Sequence, residues 1–138
     1  MSNPRITRRN PPGLHPTGGY HHVTIVGSGP VAHLAGQCPL DEHEQLVGAG
    51  DHDAQVDQIA ANALVALADA GATPGDVVRS VVYVVSSDSA VLARVWHRFA
   101  EQTELAPAFL TASTLVGVTV LGYQGQLVEL DLTAALPG

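Results

Sequence analysis

Apolar residues recur at helical spacing over two stretches of the chain. Between Val56 and Leu67 they occupy positions i, i+3, i+4, i+7, i+8 and i+11, which predicts an amphipathic helix closed by Gly71. A second amphipathic pattern covers residues 89–103, and the Leu-Ala-Pro sequence just beyond it is expected to end that helix. Two helices are therefore predicted, each with one apolar face directed at a core.

Shorter apolar runs predict five strands. Residues 77–85 are β-branched and almost continuously apolar, which is typical of a strand covered on both faces. Residues 21–26 and 30–38 flank a Gly-Ser-Gly turn and are predicted to pair as a hairpin. Residues 112–133 hold two more strand patterns, interpreted as a central hairpin. This order of elements predicts an α+β fold in which two helices cover one face of a mixed sheet.

The last strand pattern carries two alternating carboxylates. Because side chains on a strand alternate between its faces, Glu129 and Asp131 share one face while Leu130 points to the other. Two such neighbours lie about 7 Å apart, close enough for each acid to affect the protonation of the other. They are interpreted as one wall of a site. The alternative interpretation is that they form the solvated side of the sheet.

Length and composition favour one domain that contacts further copies of itself. A chain of 138 residues buries about two-thirds of its unfolded surface, with residues 1–18 predicted as an extended arm and residues 19–138 as a single domain. Apolar residues make up 46% of the chain and charged residues only 14%, which leaves little polar surface for a small monomer. Part of the apolar surface is therefore expected to be covered by copies of the same chain.

Charge and cysteine content limit the partners and the compartment. The net charge is −7 and all six basic residues are arginines, so the surface repels a phosphate backbone and nucleic acid is not expected as a partner. The single cysteine, Cys38, excludes an internal disulfide and predicts a reducing, cytoplasmic location. The sequence shows neither an export signal nor the run of about 18 apolar residues that a membrane helix needs, so no membrane partner is expected.

Four segments of the sequence resemble one protein family over residues 12–134. They are Gly-Tyr-His at residues 19–21, Leu-Ala-Gly-Gln-Cys-Pro-Leu-Asp at residues 34–41, the block at residues 54–85, and Val-Glu-Leu-Asp at residues 128–131. The family they resemble is the Rid (reactive intermediate deaminase) family, also called YjgF/YER057c/UK114. The resemblance implies a chorismate-mutase-like fold of the bacillus type, assembled as a homotrimer with a small-molecule cleft at each subunit interface.

The same resemblance implies roles for individual residues. Glu129 corresponds to the acid that positions water for hydrolysis of an enamine or imine, and it is the expected catalytic residue. Tyr20, Ala35 and Gly36 are expected to line the cleft. Ser113 stands where active members carry the Arg that clamps the substrate carboxylate. A hydroxyl in place of a charge-assisted fork weakens carboxylate binding by about ten- to a hundredfold.

Several of these residues also have simpler interpretations. Tyr20 is alternatively an ordinary interface aromatic, and Gly36 a residue that only permits a bulge. Cys38 is a candidate cleft residue, and a nucleophile if a neighbouring base lowers its pKa, but a buried free cysteine is commonly a small hydrophobe. The acids and histidines of residues 41–53 have no recognised metal-ligand spacing and are interpreted as a solvated loop with a helix cap. Neither a metal nor a cofactor is expected.

Three functions follow as hypotheses. The first is hydrolysis of a small reactive imine, enamine or related C–N compound whose recognition does not depend on the Arg clamp. The second is a trimer that binds a metabolite without turnover, with amino-acid-derived compounds among the candidate ligands. The third is the RNA-directed ribonuclease or translation-inhibitor activity that some family names carry, and the acidic charge argues against it.

Overall fold

The computed structural model describes residues 2–138, and its elements follow the predicted order with one strand added at the start. The strands are β1 (Ile6–Arg9), β2 (Val23–Val26), β3 (Val31–His33), β4 (Val77–Val85), β5 (Ala112–Val118) and β6 (Val128–Ala135). The helices are α1 (His52–Asp69) and α2 (Ser89–Ala100), with short 3-10 turns over Pro74–Asp76 and Ala106–Phe109. The segment expected to be an extended arm therefore contains a short strand.

The ends of α1 follow directly from the local sequence. The Asp51 side chain accepts the N–H of Ala54 at 3.1 Å and caps the first turn. At the other end Gly71 adopts a φ of +81°, and the N–H groups of Gly71 and Ala72 bond carbonyls of the last turn. The prediction that Gly71 closes this helix is confirmed. Helix α2 ends at Ala100, three residues before the predicted boundary.

Four strands form the main sheet in the order β3-β6-β4-β5. Strand β4 pairs with β5 in parallel and with β6 antiparallel, so it lies between the two strands that the sequence predicted as a central hairpin. That prediction is wrong because β4, the most continuously apolar strand, takes the central position, where both of its edges are paired. The connection over residues 119–127 crosses its end.

The predicted hairpin of residues 21–26 and 30–38 is also wrong. Strand β2 pairs with β1 in a separate two-stranded sheet, and β3 pairs with β6. The Arg5 guanidinium explains the separation, because it donates to the carbonyl oxygens of Gly27 and Pro30 inside the turn. A methyl group built on Gly29 would lie 2.4 Å from the Arg5 guanidinium carbon, so the turn wraps around this side chain instead of closing a ladder.

Both helices pack on the same face of the main sheet, as predicted. The buried core combines the apolar faces of the two helices with alternate residues of the two central strands, namely Val56, Ile59, Ala63, Leu67, Val95, Phe99, Val82, Val84, Leu130 and Leu132. Two ion pairs tie the helices together at the surface, Arg94 to Asp53 and Arg98 to Asp57. The other sheet face carries Val81, Tyr83, Glu129 and Asp131 and is only half-buried in the single chain.

Candidate functional site

The Glu129 carboxylate is held from one side by two neighbouring donors. Gln126 Nε2 donates to Glu129 Oε1 at 3.1 Å, and Cys38 Sγ lies 3.4 Å from the same oxygen. Gln126 is itself 3% exposed, and its Oε1 accepts the N–H of Tyr123, so the amide cannot turn away without breaking the loop. Oε1 is therefore occupied by protein groups, and Oε2 is the oxygen that remains for a ligand or a water.

Gly36 gives the Glu129 carboxylate the space it occupies. Leu34 and Gln37 donate their N–H groups to the carbonyl oxygens of Leu132 and Leu130. Two residues therefore lie between the bonded positions on this segment and only one on β6, which is the geometry of a β-bulge. A methyl group built on Gly36 would lie 2.4 Å from Glu129 Oε2. The bulge turns Gly36 toward the Glu129 carboxylate, and the role of Gly36 in lining a cleft stays a prediction. Ala35 lies beside it, exposed on the same bulge.

Cys38 has the properties of a hydrogen-bond donor and not of a nucleophile. Burial raises the pKa of the Cys38 thiol to about 11, helped by its hydrogen bond to Glu129 and by the charge of that carboxylate. A thiol with this pKa carries its proton at neutral pH and is a poor nucleophile. No base that would lower the pKa is adjacent, because the group next to the sulfur is itself an anion.

We expect the stability of the protein to fall between pH 9 and pH 11 because of Cys38. Below its ordinary pKa of 9.0 the thiol is protonated in both the folded and the unfolded chain, so its contribution is fully present. Above that pH the unfolded chain releases a proton that the folded chain keeps up to about pH 11, so the free energy of unfolding decreases as pH rises. Urea unfolding at about pH 8 and about pH 10.5 measures this decrease.

The matched control for this experiment is Cys38→Ser, whose hydroxyl keeps a donor to Glu129 without titrating in this range. Its stability should fall less over the same interval. Since the chain has no lysine and only three tyrosines, few other groups titrate there. Equal losses in both proteins would contradict the assignment.

A second group of predicted residues lines an aromatic pocket on another part of the molecule. Tyr20 packs edge-on against Trp96 with ring centroids 6.1 Å apart, and Trp96 packs in the same way against the buried Phe109 at 5.6 Å. The pocket has a volume of about 340 Å³ and is lined by Thr17, Tyr20, Trp96, His97, Ser113, Thr114 and Leu115. A neighbouring pocket of about 490 Å³ shares Tyr20, Trp96 and His97 with it.

The loop that carries Tyr20 is tied down by its own polar groups. The Thr17 hydroxyl donates to the carbonyl oxygen of Tyr20 and accepts the N–H of Gly19 at 3.3 Å. His15 Nε2 lies 3.1 Å from the Tyr20 hydroxyl. His21 connects the loop to the Leu110 carbonyl on the far wall. Tyr20 is therefore fixed in place at the pocket and is not a mobile surface aromatic.

Ser113 reaches the pocket, but its hydroxyl is already used. It donates to the carbonyl oxygen of Thr111 at 2.9 Å and lies 2.6 Å from the hydroxyl of the fully buried Ser80. A hydroxyl has one proton, and the Thr111 carbonyl and the Ser80 hydroxyl are both within hydrogen-bond distance to accept it. Ser113 therefore offers no donor to a ligand carboxylate in this arrangement.

The two groups of predicted site residues lie on opposite faces of the sheet. Ser113 pairs with Ser80, which points to the helix-covered face together with Leu132. Glu129 alternates with Leu130 and Leu132, so its side chain points to the other face. The structure brings Gly36, Cys38 and Glu129 together, and separately Tyr20 and Ser113. One chain does not join the two groups in a single cleft.

Most arginines of the described chain are engaged within the protein. Arg94 and Arg98 pair with aspartates of α1, which raises the pKa of each guanidinium above its ordinary value. Arg5 and Arg8 donate to backbone carbonyls. Arg79 extends from the uncovered sheet face to the Thr114 hydroxyl at 2.5 Å and is exposed.

Three acids of the predicted loop and cap have structural partners. Asp41 accepts the N–H groups of His43 and Gln45, which holds its pKa below the ordinary value. Asp51 caps α1, and Asp53 pairs with Arg94. Across residues 2–138, no three His, Cys, Asp or Glu side chains come close enough together to hold a metal ion. None of the helices in that part of the chain could span a membrane.

Sequence reasoning did not identify Gln126, the residue that fixes the Glu129 carboxylate, or His15, which contacts the Tyr20 hydroxyl. Gln126 lies three positions before Glu129 in a polar loop, and nothing in the composition of that loop marks it as buried. The one feature of the sequence that points to Gln126 is an amide side chain just before the start of the strand that carries Glu129. His15 had no signal, because its contact depends on the fold of the N-terminal segment.

Comparison with known proteins agrees with this architecture. The family profile described as Endoribonuclease L-PSP matches residues 12–136. The solved structure of the Rid-family protein YyfB from Yersinia pestis is 35% identical and superimposes with a TM-score of 0.84, covering 96% of this chain and 99% of that one. A member of the YjgF/YER057c/UK114 family from Mycobacterium tuberculosis is 27% identical, with a TM-score of 0.61 and coverage of 85% and 86%. No curated protein matches the chain.

These matches define the class of protein, an α+β protein with the Rid fold. The chain belongs to the Endoribonuclease L-PSP family, that is, to the Rid or YjgF/YER057c/UK114 proteins. The resemblance found in the sequence is thereby confirmed.

Proposed function

We propose that this protein hydrolyses small imines or enamines that lack a carboxylate, with Glu129 as the general base. The observation that carries the proposal is the asymmetric carboxylate: Oε1 is fixed by Gln126 and Cys38, and Oε2 is left free over Gly36. A free carboxylate oxygen held at one position can accept a proton from water as the water attacks the imine carbon. The same acid returns the proton to the nitrogen, which gives a carbinolamine; an enamine reaches this point after tautomerising to the imine. As the carbinolamine collapses, its hydroxyl proton passes to the departing nitrogen, so the water oxygen ends in the carbonyl compound and both water hydrogens end on ammonia or an amine.

The position of the cleft forms part of this proposal. Glu129 and the aromatic pocket point to opposite sheet faces of one chain, so a cleft that contains both requires a second copy. The half-buried face with Val81 and Tyr83 offers apolar surface for such a contact. A chorismate-mutase-like homotrimer with a cleft at each interface satisfies both conditions. Light scattering that returned a monomer mass at micromolar concentration would exclude it.

The restriction to substrates without a carboxylate rests on Ser113. Its hydroxyl is already engaged by Thr111 and Ser80. No arginine is among the residues that line the aromatic pocket, and Arg79 reaches Thr114 from the uncovered sheet face. An anion bound in the pocket would lose its hydration without a cation among the lining residues to pair with. A trimer that binds such compounds without turnover is the second candidate function, because loss of the clamp removes a group that orients substrate. RNA-directed activity is disfavoured by the charge of −7 and by the internal pairing of Arg94 and Arg98.

The test compares an uncharged imine with a 2-imino acid, each generated in place by a flavin-dependent oxidase, with release of ammonia as the measurement. We expect the uncharged imine to be hydrolysed and 2-iminopropanoate to be slower by about ten- to a hundredfold in kcat/KM. Ser113→Arg should recover about tenfold or more toward the imino acid. Rapid hydrolysis of 2-iminopropanoate by the unaltered protein would refute the restriction, and the exposed Arg79 would then be the residue to test.

A further inference from the structure

The aromatic pocket beside Ser113 has the size and lining of a ligand site for a flat group. Its volume of about 340 Å³ lies within the range of small-molecule sites, and the adjoining 490 Å³ pocket continues it along α2 toward Phe109. Neither pocket has an Asp, Glu, Lys or Arg among its lining residues. The walls are therefore aromatic, aliphatic and hydroxyl-bearing. Arg79 reaches the Thr114 hydroxyl from the uncovered sheet face and is not among the lining residues.

The aromatic walls are fixed before any ligand arrives. Trp96 is supported from behind by Phe109, which in turn stacks on the fully buried Phe99 at 5.3 Å. Tyr20 is held by its loop and by His15. Rigid aromatic faces attract other rings and cations, and they lose little conformational entropy when they do so.

From this geometry we infer that the pocket binds an aromatic substituent of a neutral or cationic ligand and discriminates against anions. The ligand class is therefore an aryl-bearing amine, imine or amide, and not a small 2-imino acid. The inference rests on the proposed function only for the statement that this pocket holds part of the substrate. Binding itself does not depend on turnover, so the two statements can fail separately.

Trp96 is the only tryptophan of the chain and lines both adjoining pockets, so its fluorescence reports on this part of the molecule. The probes are phenylacetamide, phenylacetate and phenethylammonium, which have similar size and differ in charge. We expect the neutral and cationic probes to give saturable changes in Trp96 emission, with phenylacetate weaker by about tenfold or more. Tyr20→Ala should weaken the neutral probe by about tenfold. The matched control is Tyr123→Ala, at a tyrosine that is 49% exposed and lines neither pocket, and it should bind as the unaltered protein does.

Phenylacetate binding as tightly as phenylacetamide would overturn the inference, and so would the failure of every probe to saturate. Equal losses in the Tyr20 and Tyr123 variants would also overturn it, because the effect would then not come from the pocket. If the probes bind as expected but no imine is hydrolysed, the pocket assignment stands and the proposed hydrolysis is wrong. If uncharged imines are hydrolysed but no probe binds, the hydrolysis stands and the pocket assignment is wrong.

Discussion

Glu129→Gln should lower kcat for an uncharged imine by about 100- to 10,000-fold, the usual contribution of a general base. The amide keeps the shape of the side chain and an acceptor for Gln126, so the fold is expected to persist. The change also removes the negative charge next to Cys38. The pKa of the Cys38 thiol should then fall from about 11 toward its ordinary 9.0, because only burial continues to raise it. Thiolate absorbance of the single cysteine measures this shift independently of activity.

Asp131→Asn is the matched control for this experiment. Asp131 lies on the same face of the same strand two residues further on, and the hydrogen bonds that hold the carboxylate of Glu129 do not involve it. We expect this variant to retain activity within about threefold and to leave the Cys38 titration unchanged. If Glu129→Gln retained most of the activity while shifting the Cys38 pKa, the geometry would be right and the catalytic role wrong.

Phe99→Ala should destabilise the protein by about 3–5 kcal/mol, the usual cost of deleting a large buried aromatic. Phe99 is fully buried, belongs to the core between α2 and the sheet, and stacks on Phe109 behind the Trp96 wall. The variant should therefore also weaken binding of phenylacetamide, because Trp96 loses its support. Denaturant unfolding followed by circular dichroism gives the first quantity, and Trp96 fluorescence the second.

The control is Val65→Ala, on the outer face of α1, where the side chain is 73% exposed. That substitution should change stability by no more than about 0.5 kcal/mol. A loss of stability as small as this in Phe99→Ala would mean that the Phe99 and Phe109 stack does not contribute to the core as its burial indicates.

Local patterns predicted a helix or strand accurately where the residues that determine it lie within one stretch of sequence. The α1 boundaries follow from Asp51 and Gly71, whose contacts lie within a few residues of each helix end. Strand β4 matches its run of β-branched residues, in which every second residue from Ser80 to Val84 is buried under the helices. Pairing was predicted less well. The Gly-Ser-Gly turn indicated a hairpin, but the Arg5 side chain, 22 residues earlier than Gly27, occupies that turn.

The candidate site likewise combines features that the sequence predicts with features that depend on the tertiary structure. The sequence alone determined the chemistry available, namely one acid on an alternating strand, a glycine and a cysteine in a second segment, and an uncharged serine at position 113. The family match confirmed the resemblance to the Rid family and the α+β fold class. Only the tertiary structure decided that Gln126 and Cys38 occupy one oxygen of Glu129, and that Ser113 faces away from it. These contacts depend on how the strands pair and on which distant segments meet. Strand pairing is determined by the free energy of the whole fold, so a local sequence pattern does not predict it.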